Sequence, residues 1–525
     1  MTLRSSRATL SLLVLALGVT TAVACGSGEA TTTTSASGTG GTDVTSSGTG
    51  GAGGDIFNTV AASQSAAAST SATGSSTGTG MMVNCDPMPT TGPHTWSKIY
   101  GDASSQYGLA VTHDATGNVI IAGAFSGSIV FSPTVSISSV NSGNPMASNV
   151  DIFVAKFAPD GTPTWAHSYG DGKDQSARGV AVDAQGNVVV VGQFVGSVNF
   201  GGGTFTSVGP NFDDAFIVKL GPQGNHLWSK KFGDINSQVP HGVAVSAAGD
   251  IAMVGDFQTN MTFDAIAINS TGDTDAFVAV FDSAGNAKWA KAFGDLAAQS
   301  AHAVSFDATG NVLITGDTSG AIDFGQGAQA LTGTDNAWAA KLSGAGAVTW
   351  GKLYGASKAS GEGIGADAMG NVFLAGDHEG KIDFGGGALD NTFGPNVYVA
   401  KLDPLGKEIW SHTYGDSQSQ HTKGLSVDGK GHAVIVGSFS GAIDFGKGKL
   451  ASGGGVDGFV AKLDTQGCGI WQKGFGDASF QSASGVSADT MGNVLITGSI
   501  AGTANLGGAV LTANGDDVFV AKLAP

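Results

Sequence analysis

Seven tryptophans, Trp96, Trp165, Trp228, Trp289, Trp350, Trp410 and Trp471, stand 69, 63, 61, 61, 60 and 61 residues apart, and the residues around each follow one template. The second copy reads WAHSYG from Trp165, ARGVAVDAQG from Ala177, NVVVVGQFVGSVNF from Asn187 and DAFIVKL from Asp214. Each unit thus offers four short stretches rich in apolar and β-branched residues, separated by Gly, Asp and Asn turns, the pattern of a four-stranded antiparallel meander. One meander cannot bury both of its faces. Seven packed around an axis can, which predicts an all-β, seven-bladed β-propeller with the Gly- and Ala-rich stretch innermost, where blades crowd together.

The phase of the repeat predicts how the ring closes. The first copy opens on a Trp stretch, His94 to Tyr100, and the sequence given finishes on an Asp-Asp-Val-Phe stretch, Asp516 to Leu523. With the Trp strand outermost, the seventh blade lacks one, and the N-terminal strand is left over to complete it. Such closure leaves no exposed sheet edge.

Composition agrees with turns rather than helices. The 525 residues include 85 Gly, and Glu occurs only at Glu29, Glu362, Glu379 and Glu408, although Glu is a far better helix former than the abundant Asp. A net charge of −18 with no Lys/Arg cluster argues against nucleic acid as a partner. The three cysteines, Cys25, Cys85 and Cys468, form no CxxC pair and no Cys/His cluster, so neither a metal site nor a cofactor is expected.

The N-terminus reads as an export signal. Arg4 and Arg7 form a basic region, Leu10 to Val19 an apolar one, and Ala22-Val23-Ala24-Cys25 a small-residue cleavage site. That site resembles the bacterial lipobox, which implies a signal peptide over residues 1–24 and a lipid on Cys25; Ala22 stands where Leu is usual, and an ordinary signal peptide cut nearby is the alternative. Residues 25–91 are rich in Ser, Thr, Gly and Ala and too poor in large apolar residues to build a core, so a disordered tether is expected. Its reach is on the order of 40 Å. The leader's apolar run is too short to span a bilayer, leaving the lipid as the expected membrane attachment.

From residue 94 onward the chain resembles the seven-bladed β-propeller repeats (SBBP-type) of bacterial surface proteins, whose units carry V-D-x-x-G-N-V followed by D-A-F-V-A-K-L-D-x-x-G. Here these stand as Val182-Asp183-Ala184-Gln185-Gly186-Asn187-Val188 and Asp457-Gly458-Phe459-Val460-Ala461-Lys462-Leu463-Asp464. Departures fall on single blades: Gly249-Asp250 and Gly431-His432 replace Gly-Asn, and Val280 replaces Lys. The resemblance implies a cell-surface lipoprotein of the outer membrane. The stretch Lys401 to Trp410 is also similar to the tryptophan-docking repeat of envelope-assembly propellers, which implies a periplasmic scaffold as an alternative.

Within the repeat, six units carry Gly-Asp with Gln four residues on: Asp102/Gln106, Asp171/Gln175, Asp234/Gln238, Asp295/Gln299, Asp416/Gln420 and Asp477/Gln481. The seventh has Ala356 and Ser360. A pair lost together reads as one loop-bracing device, with too few acids for calcium. The recurring Lys156, Lys219, Lys341, Lys401, Lys462 and Lys522 are expected to lay their stems over the neighbouring Trp.

The positions that fail to repeat are the functional candidates. Tyr107, Arg178, His241, His302, Glu362, Lys423 and Ser484 precede the Gly or Ala of each innermost strand and are expected to ring the channel mouth. His241 is expected near His302, and Glu362 near Lys423. A longer connection in the first blade, Ser132 to Val150, is a candidate recognition loop on the same face. Cys85 and Cys468 fall on the opposite face in neighbouring blades, which suggests a disulfide holding the closing strand.

No nucleophile elbow, zincin motif or phosphate loop occurs. The expected function is therefore non-enzymatic: a monomeric, adhesion-type module binding a protein or glycan through the mouth. A propeller hydrolase or lyase using His241, His302, Glu362 and Arg178 is the enzymatic alternative.

Overall fold

The computed structural model describes residues 92–140, 149–355 and 357–525; the expected signal peptide, Cys25, Cys85 and the whole of the expected tether lie outside the described residues. Every regular element described is a strand, and the strands form seven four-stranded antiparallel blades. Blade 2 shows the plan, running outward from the axis through Gln175–Val182, Val188–Phe194, Asp214–Leu220 and His226–Phe232. The seven innermost strands contact one another in sequence around the axis, and the last, Gln481–Ala488, meets the first, Gln106–His113.

Blade 7 is closed by the N-terminal strand. His94–Tyr100 pairs antiparallel with Leu511–Leu523, Trp96 opposite Lys522 and Tyr100 opposite Val518. The ring is therefore locked by hydrogen bonds between the two ends of the described fold, which leaves no unpaired blade edge there.

The second strand of each blade is covered on both faces, which is why it reads as a near-continuous apolar run and not as an alternating one. Val119–Phe125, Ala433–Phe439 and the third strand Asp457–Leu463 are buried at every residue. Their side chains form one apolar layer between each pair of neighbouring blades. Between blades 2 and 3, for example, Val189, Val191 and Ile217 meet Met253, Phe257 and Phe263.

The repeated tryptophans bind blade to blade. The indole N–H of Trp165 donates to the carbonyl of Pro222 in blade 2 at 3.1 Å, and Trp410 makes the equivalent bond to Thr465 at 3.0 Å. The next blade's turn glycine slides under the ring. Gly161, with φ of +83°, would place a Cβ 3.0 Å from Trp96, so the turn needs glycine both for its backbone and for the close approach.

Five of the recurring lysines, each paired opposite the Trp of the next strand, add an ion pair to the stem packing expected of them. Their amines do not cap the indole; they reach the buried aspartate in the turn after the innermost strand, at 3.0 Å for Lys156–Asp114, 2.8 Å for Lys219–Asp183, 2.9 Å for Lys341–Asp307, 3.1 Å for Lys401–Asp367 and 2.9 Å for Lys462–Asp428. A desolvated ammonium needs a counter-charge more than it needs a ring face. Blade 3 has lost both partners together: Val280 replaces the lysine and Ser246 the aspartate, its Oγ accepting from the N–H of Asp250 at 3.0 Å.

Candidate functional site at the channel mouth

Each innermost strand carries a β-bulge near its start. In blades 2 to 7 the extra residue is Arg178, His241, His302, Glu362, Lys423 and Ser484, the six expected from sequence. In blade 1 the expected Tyr107 does not occupy it. Tyr107 pairs in register with Ala124, and the bulge falls between Gly108 and Ala110, so Leu109 is the seventh ring position. Tyr107 instead donates its hydroxyl to Asp516 Oδ2 at 3.3 Å, bridging to blade 7.

The bulge explains an otherwise puzzling glycine. At each second strand a glycine faces the carbonyl that the bulge pushes inward: a Cβ on Gly255 would lie 2.1 Å from the oxygen of Val239, and one on Gly316 1.9 Å from that of Ser300. The following residue then lies beside the bulge side chain. Those residues are Ala124, Gln193, Asp256, Asp317, Asp377, Ser438 and Ser499. This inner companion set was not singled out from sequence, although the Gly-Asp steps at 255–256, 316–317 and 376–377 mark three consecutive blades.

Together the two sets make a crescent of fixed charge on blades 2 to 6. Arg178 Nε donates to Gln193 Oε1 at 3.1 Å. His241 Nε2 lies 2.8 Å from Asp256 Oδ2, which also accepts from Ser300 Oγ at 2.9 Å. The rings of His241 and His302 meet edge to face at 5.6 Å. His302 sits between two carboxylates, Nε2 3.0 Å from Asp317 and Nδ1 3.4 Å from Glu362. Further round, His421 Nδ1 lies 2.8 Å from Asp377, which also accepts the N–H of Thr422 at 2.6 Å. Lys423 acts on Glu362 through its charge, while the closer partner of Glu362 is His302.

These neighbours set the protonation states. Desolvation opposes a charge on His302, but Glu362 and Asp317 outweigh it and hold the imidazole protonated well above its usual range. Desolvation likewise opposes ionisation of Glu362, and His302 and Lys423 overcome it, pulling the carboxyl down to about 2. Asp377 goes the other way: burial and the charge of Glu362 raise it against the pull of His421. Among the described residues, no three His, Cys, Asp or Glu converge as a metal site.

The Gly-Asp and Gln pairs are loop braces. Asp171 Oδ1 accepts from Lys173 N at 2.9 Å and Gln175 Nε2 at 2.8 Å, and its Oδ2 from Ser197 N at 2.7 Å. The same Gln–Asp bond recurs at 3.0 Å for Gln106 and 2.9 Å for Gln238, Gln299, Gln420 and Gln481. In blade 5, register puts Ala359, not Ser360, in the place of the glutamine, because the loop is one residue shorter; Ala356 lies outside the described residues.

The expected recognition loop in blade 1 is partly a packing element. Within Ser132 to Val150, Val135 and Ile137 of the strand Val135–Ser138 pack into the apolar cluster of Phe131 and Phe157, and residues 141–148 lie outside the described residues. Cys468 is buried in the turn before Trp471, with Cys85 outside the described residues.

No family model matches the chain. An uncharacterised WD repeat-containing protein of Acanthamoeba polyphaga mimivirus is 25% identical over 205 residues, 33% of this chain, and the match spans 15% of that protein's length. Among solved structures, the chain is similar to the Neurospora crassa Pan2 WD40 domain (7% identity, 83% of this chain and 98% of that one, TM-score 0.42). It is also similar to the WD40 propeller domain of Doa1 (9% identity, 82% and 96%, TM-score 0.38) and to a Bacteroides caccae protein of unknown function (10% identity, 64% and 94%, TM-score 0.34).

Proposed function

We propose that this propeller is a binding module that recognises a protein or glycan through the channel mouth. The observation that carries the reading is the charged crescent itself. On a scaffold whose other positions recur blade after blade, the bulge residues and their second-strand companions differ from blade to blade and converge on one opening.

The protonation states favour recognition over catalysis. An imidazolium held between Asp317 and Glu362 is already protonated and is no general base, and a carboxyl as acidic as that of Glu362 is no general acid. Fixed charges of alternating sign suit electrostatic complementarity with a polar partner.

Cys25 and the Ser/Thr/Gly-rich stretch support a finer reading, a lipid-anchored module of the bacterial outer membrane held clear of the surface by a tether. Protease shaving of intact cells, with mass spectrometry of released peptides, tests it. Release of propeller peptides supports display outside the cell, whereas release only after rupture of the outer membrane favours a periplasmic assembly scaffold.

Binding is tested by comparing the wild type with an Arg178→Ala, His302→Gln, Lys423→Ala variant on glycan arrays and immobilised envelope proteins. Partners lost by the variant support the mouth; an unchanged binding profile removes it. One observation favours a hydrolase or lyase: Asp377 and Glu362 are pushed apart in acidity, as paired catalytic carboxyls are. Polymer cleavage that disappears in Glu362→Gln and Asp377→Asn would replace the binding reading.

A further inference from the structure

Beneath the mouth loops, five of the seven blades carry an acid of a second set that the crescent does not use. On the third strand of blades 1, 2, 3, 6 and 7, opposite Phe125, Phe194, Phe257, Phe439 and Ile500 of the second, stand Asp151, Asp214, Asp275, Asp457 and Asp517, each at most 4% exposed. In all five, Oδ2 accepts a backbone N–H from the preceding connection, at 2.7 Å from Val140, 3.1 Å from Val208, 3.0 Å from Thr271, 2.7 Å from Gly453 and 3.1 Å from Asn514. In all five, Oδ1 is buried with no hydrogen-bond partner.

What Oδ1 faces is another acceptor. A Cβ placed on Gly170 would lie 2.4 Å from both Asp151 Oδ1 and Gln175 Oε1, so the carboxyl of blade 1 and the amide oxygen of blade 2 crowd the same glycine. Gly294 is crowded the same way by Asp275 and Gln299, Gly476 by Asp457 and Gln481, and Gly101 by Asp517 and Gln106. The Gln amide cannot turn to offer its N–H, because Nε2 is committed to the loop aspartate and, in Gln175, to the carbonyl of Val195 at 2.7 Å. Gln106 Oε1, like Asp517 Oδ1, has no partner at all.

We infer that Asp151, Asp275, Asp457 and Asp517 are neutral carboxylic acids whose Oδ1–H donates across the blade boundary to the glutamine of the next blade, so that the ring is closed by protons. One hydrogen satisfies Oδ1 and removes its repulsion with the glutamine oxygen, which in Gln175, Gln299 and Gln481 also accepts the N–H of the loop aspartate, at 3.1, 3.0 and 3.2 Å. The chain itself supplies the isosteric control. In blade 5 the position is Asn396, whose Oδ1 is likewise without a partner and crowds Gly415 with Gln420 Oε1; exchanging its amide O and N puts a permanent N–H where the other blades have the acid proton. In blade 4, where the following blade has Ala359 in place of glutamine, the position is Asn336.

The charges around these carboxyls point the same way. Asp151 faces Asp171, Asp275 faces Asp295, Asp457 faces Asp477, and Asp517 faces Asp102 and Asp516. Asp102, Asp295 and Asp477 hold their negative charge by accepting several N–H groups, so a second ionised carboxylate beside each is disfavoured. Burial, the largest cause, raises all four, Asp151 to about 6. Asp214 is raised by burial as well, but Lys231, 3.4 Å from its Oδ2, pulls against that shift, so it stands apart from the other four.

A folded-state pKa above the unfolded value means the folded ring holds more protons between the two, so this contribution is complete below about pH 4 and is lost as pH rises through the raised values. The blade boundaries under the mouth loops are thus tightest in acid.

The test compares the full chain with its Asp151→Asn, Asp275→Asn, Asp457→Asn, Asp517→Asn variant in thermal melts at about pH 5 and about pH 8, since amides replace acids with permanent donors. The variant is expected to show a smaller fall in Tm over that interval than the wild type, and to melt above it at the higher pH. A variant that melts below the wild type by the same margin at both values overturns the inference, as does a Tm of the wild type that rises at the higher pH only when Ca²⁺ is added. Infrared spectra of the wild type near pH 5 give an independent reading should the variant not fold: a protonated-carboxyl band from the folded chain that vanishes on unfolding is expected, and its absence overturns the proposal.

Discussion

The indole N–H of Trp96 donates to the carbonyl of Pro159 at 3.0 Å, and that single bond joins the strand that completes the last blade to the turn of the first. Trp96 therefore does at the closure what Trp165 and Trp410 do between blades whose chain is continuous. Its strand is held by pairing with Leu511–Leu523, and Gly92 just before it lies against the ring of Trp471 in blade 6.

Removing that strand tests the closure. A chain lacking residues 92–100 leaves Leu511–Leu523 as an unpaired edge, and such edges recruit other chains. It is expected to elute from size exclusion as oligomers or aggregate. Trp96→Ala, which keeps the backbone pairing, is expected to stay monomeric and lose about 2 kcal/mol in denaturant melts. A truncated chain that remains monomeric with the Tm of the wild type would show that the strand does not close the ring.

The buried pair Lys219–Asp183 offers a test with an internal precedent. Side chains exposed by only 6% and 2% leave either ion stranded when its partner is removed, so Lys219→Val alone is expected to cost about 3–5 kcal/mol. The double variant Lys219→Val, Asp183→Ser reproduces blade 3, where Val280 and Ser246 stand together, and is expected to recover most of that loss. A double variant as unstable as the single one would mean that blade 3 is stabilised by something other than the paired exchange.

His302 has two carboxylates to hold its proton, and removing one measures the other. Glu362→Gln is expected to move the imidazole titration, followed by NMR, down toward the ordinary value of about 6.5, with Asp317 at 3.0 Å leaving part of the shift. Because the pair raises His302, its contribution to stability is present at low pH and fades as pH rises through the raised value. No change in the titration on substituting Glu362 would assign the proton to Asp317 alone.

Cys468 carries a prediction about compartment. Its N–H is held by Asp464 at 2.9 Å in the turn that precedes Trp471, and the chain arrives at that tryptophan through Gly92, seven residues after Cys85. Non-reducing peptide maps of exported protein are expected to contain a Cys85–Cys468 cross-link, and Cys85→Ser to cost about 2–4 kcal/mol. Recovery of both cysteines as alkylated free thiols would set the disulfide aside.

What was legible in the sequence was whatever repeats at fixed spacing. The tryptophans gave blade count and phase, and the phase gave the closure by His94–Tyr100. The ion partner of Lys156 was not legible because Asp114 lies 42 residues away, and only the folded blade brings the turn and the third strand together. Tyr107 was misplaced because a bulge adds a residue without a signature of its own, so aligning the strands by residue type slipped blade 1 by two positions, away from Leu109. Asp256, Asp317 and Asp377 were missed for a related reason: a Gly-Asp step reads as a turn, whereas here the glycine makes room for a bulged carbonyl in a buried strand.

A single added methyl tests that role of the glycine. Gly255 faces the Val239 carbonyl so closely that a methyl would sit 2.1 Å from its oxygen and 2.9 Å from Phe277, and neither backbone nor buried ring can retreat cheaply. Gly255→Ala is therefore expected to cost about 1–3 kcal/mol. The strain falls on the bulge that aims His241, so the contact with Asp256, now 2.8 Å, is expected to lengthen and the His241 resonance to shift, while His421 in blade 6 keeps its own. A variant that loses stability while the His241 signal stays in place would mean that the bulge geometry is set by the inner strand alone, and that the glycine serves packing and not the mouth.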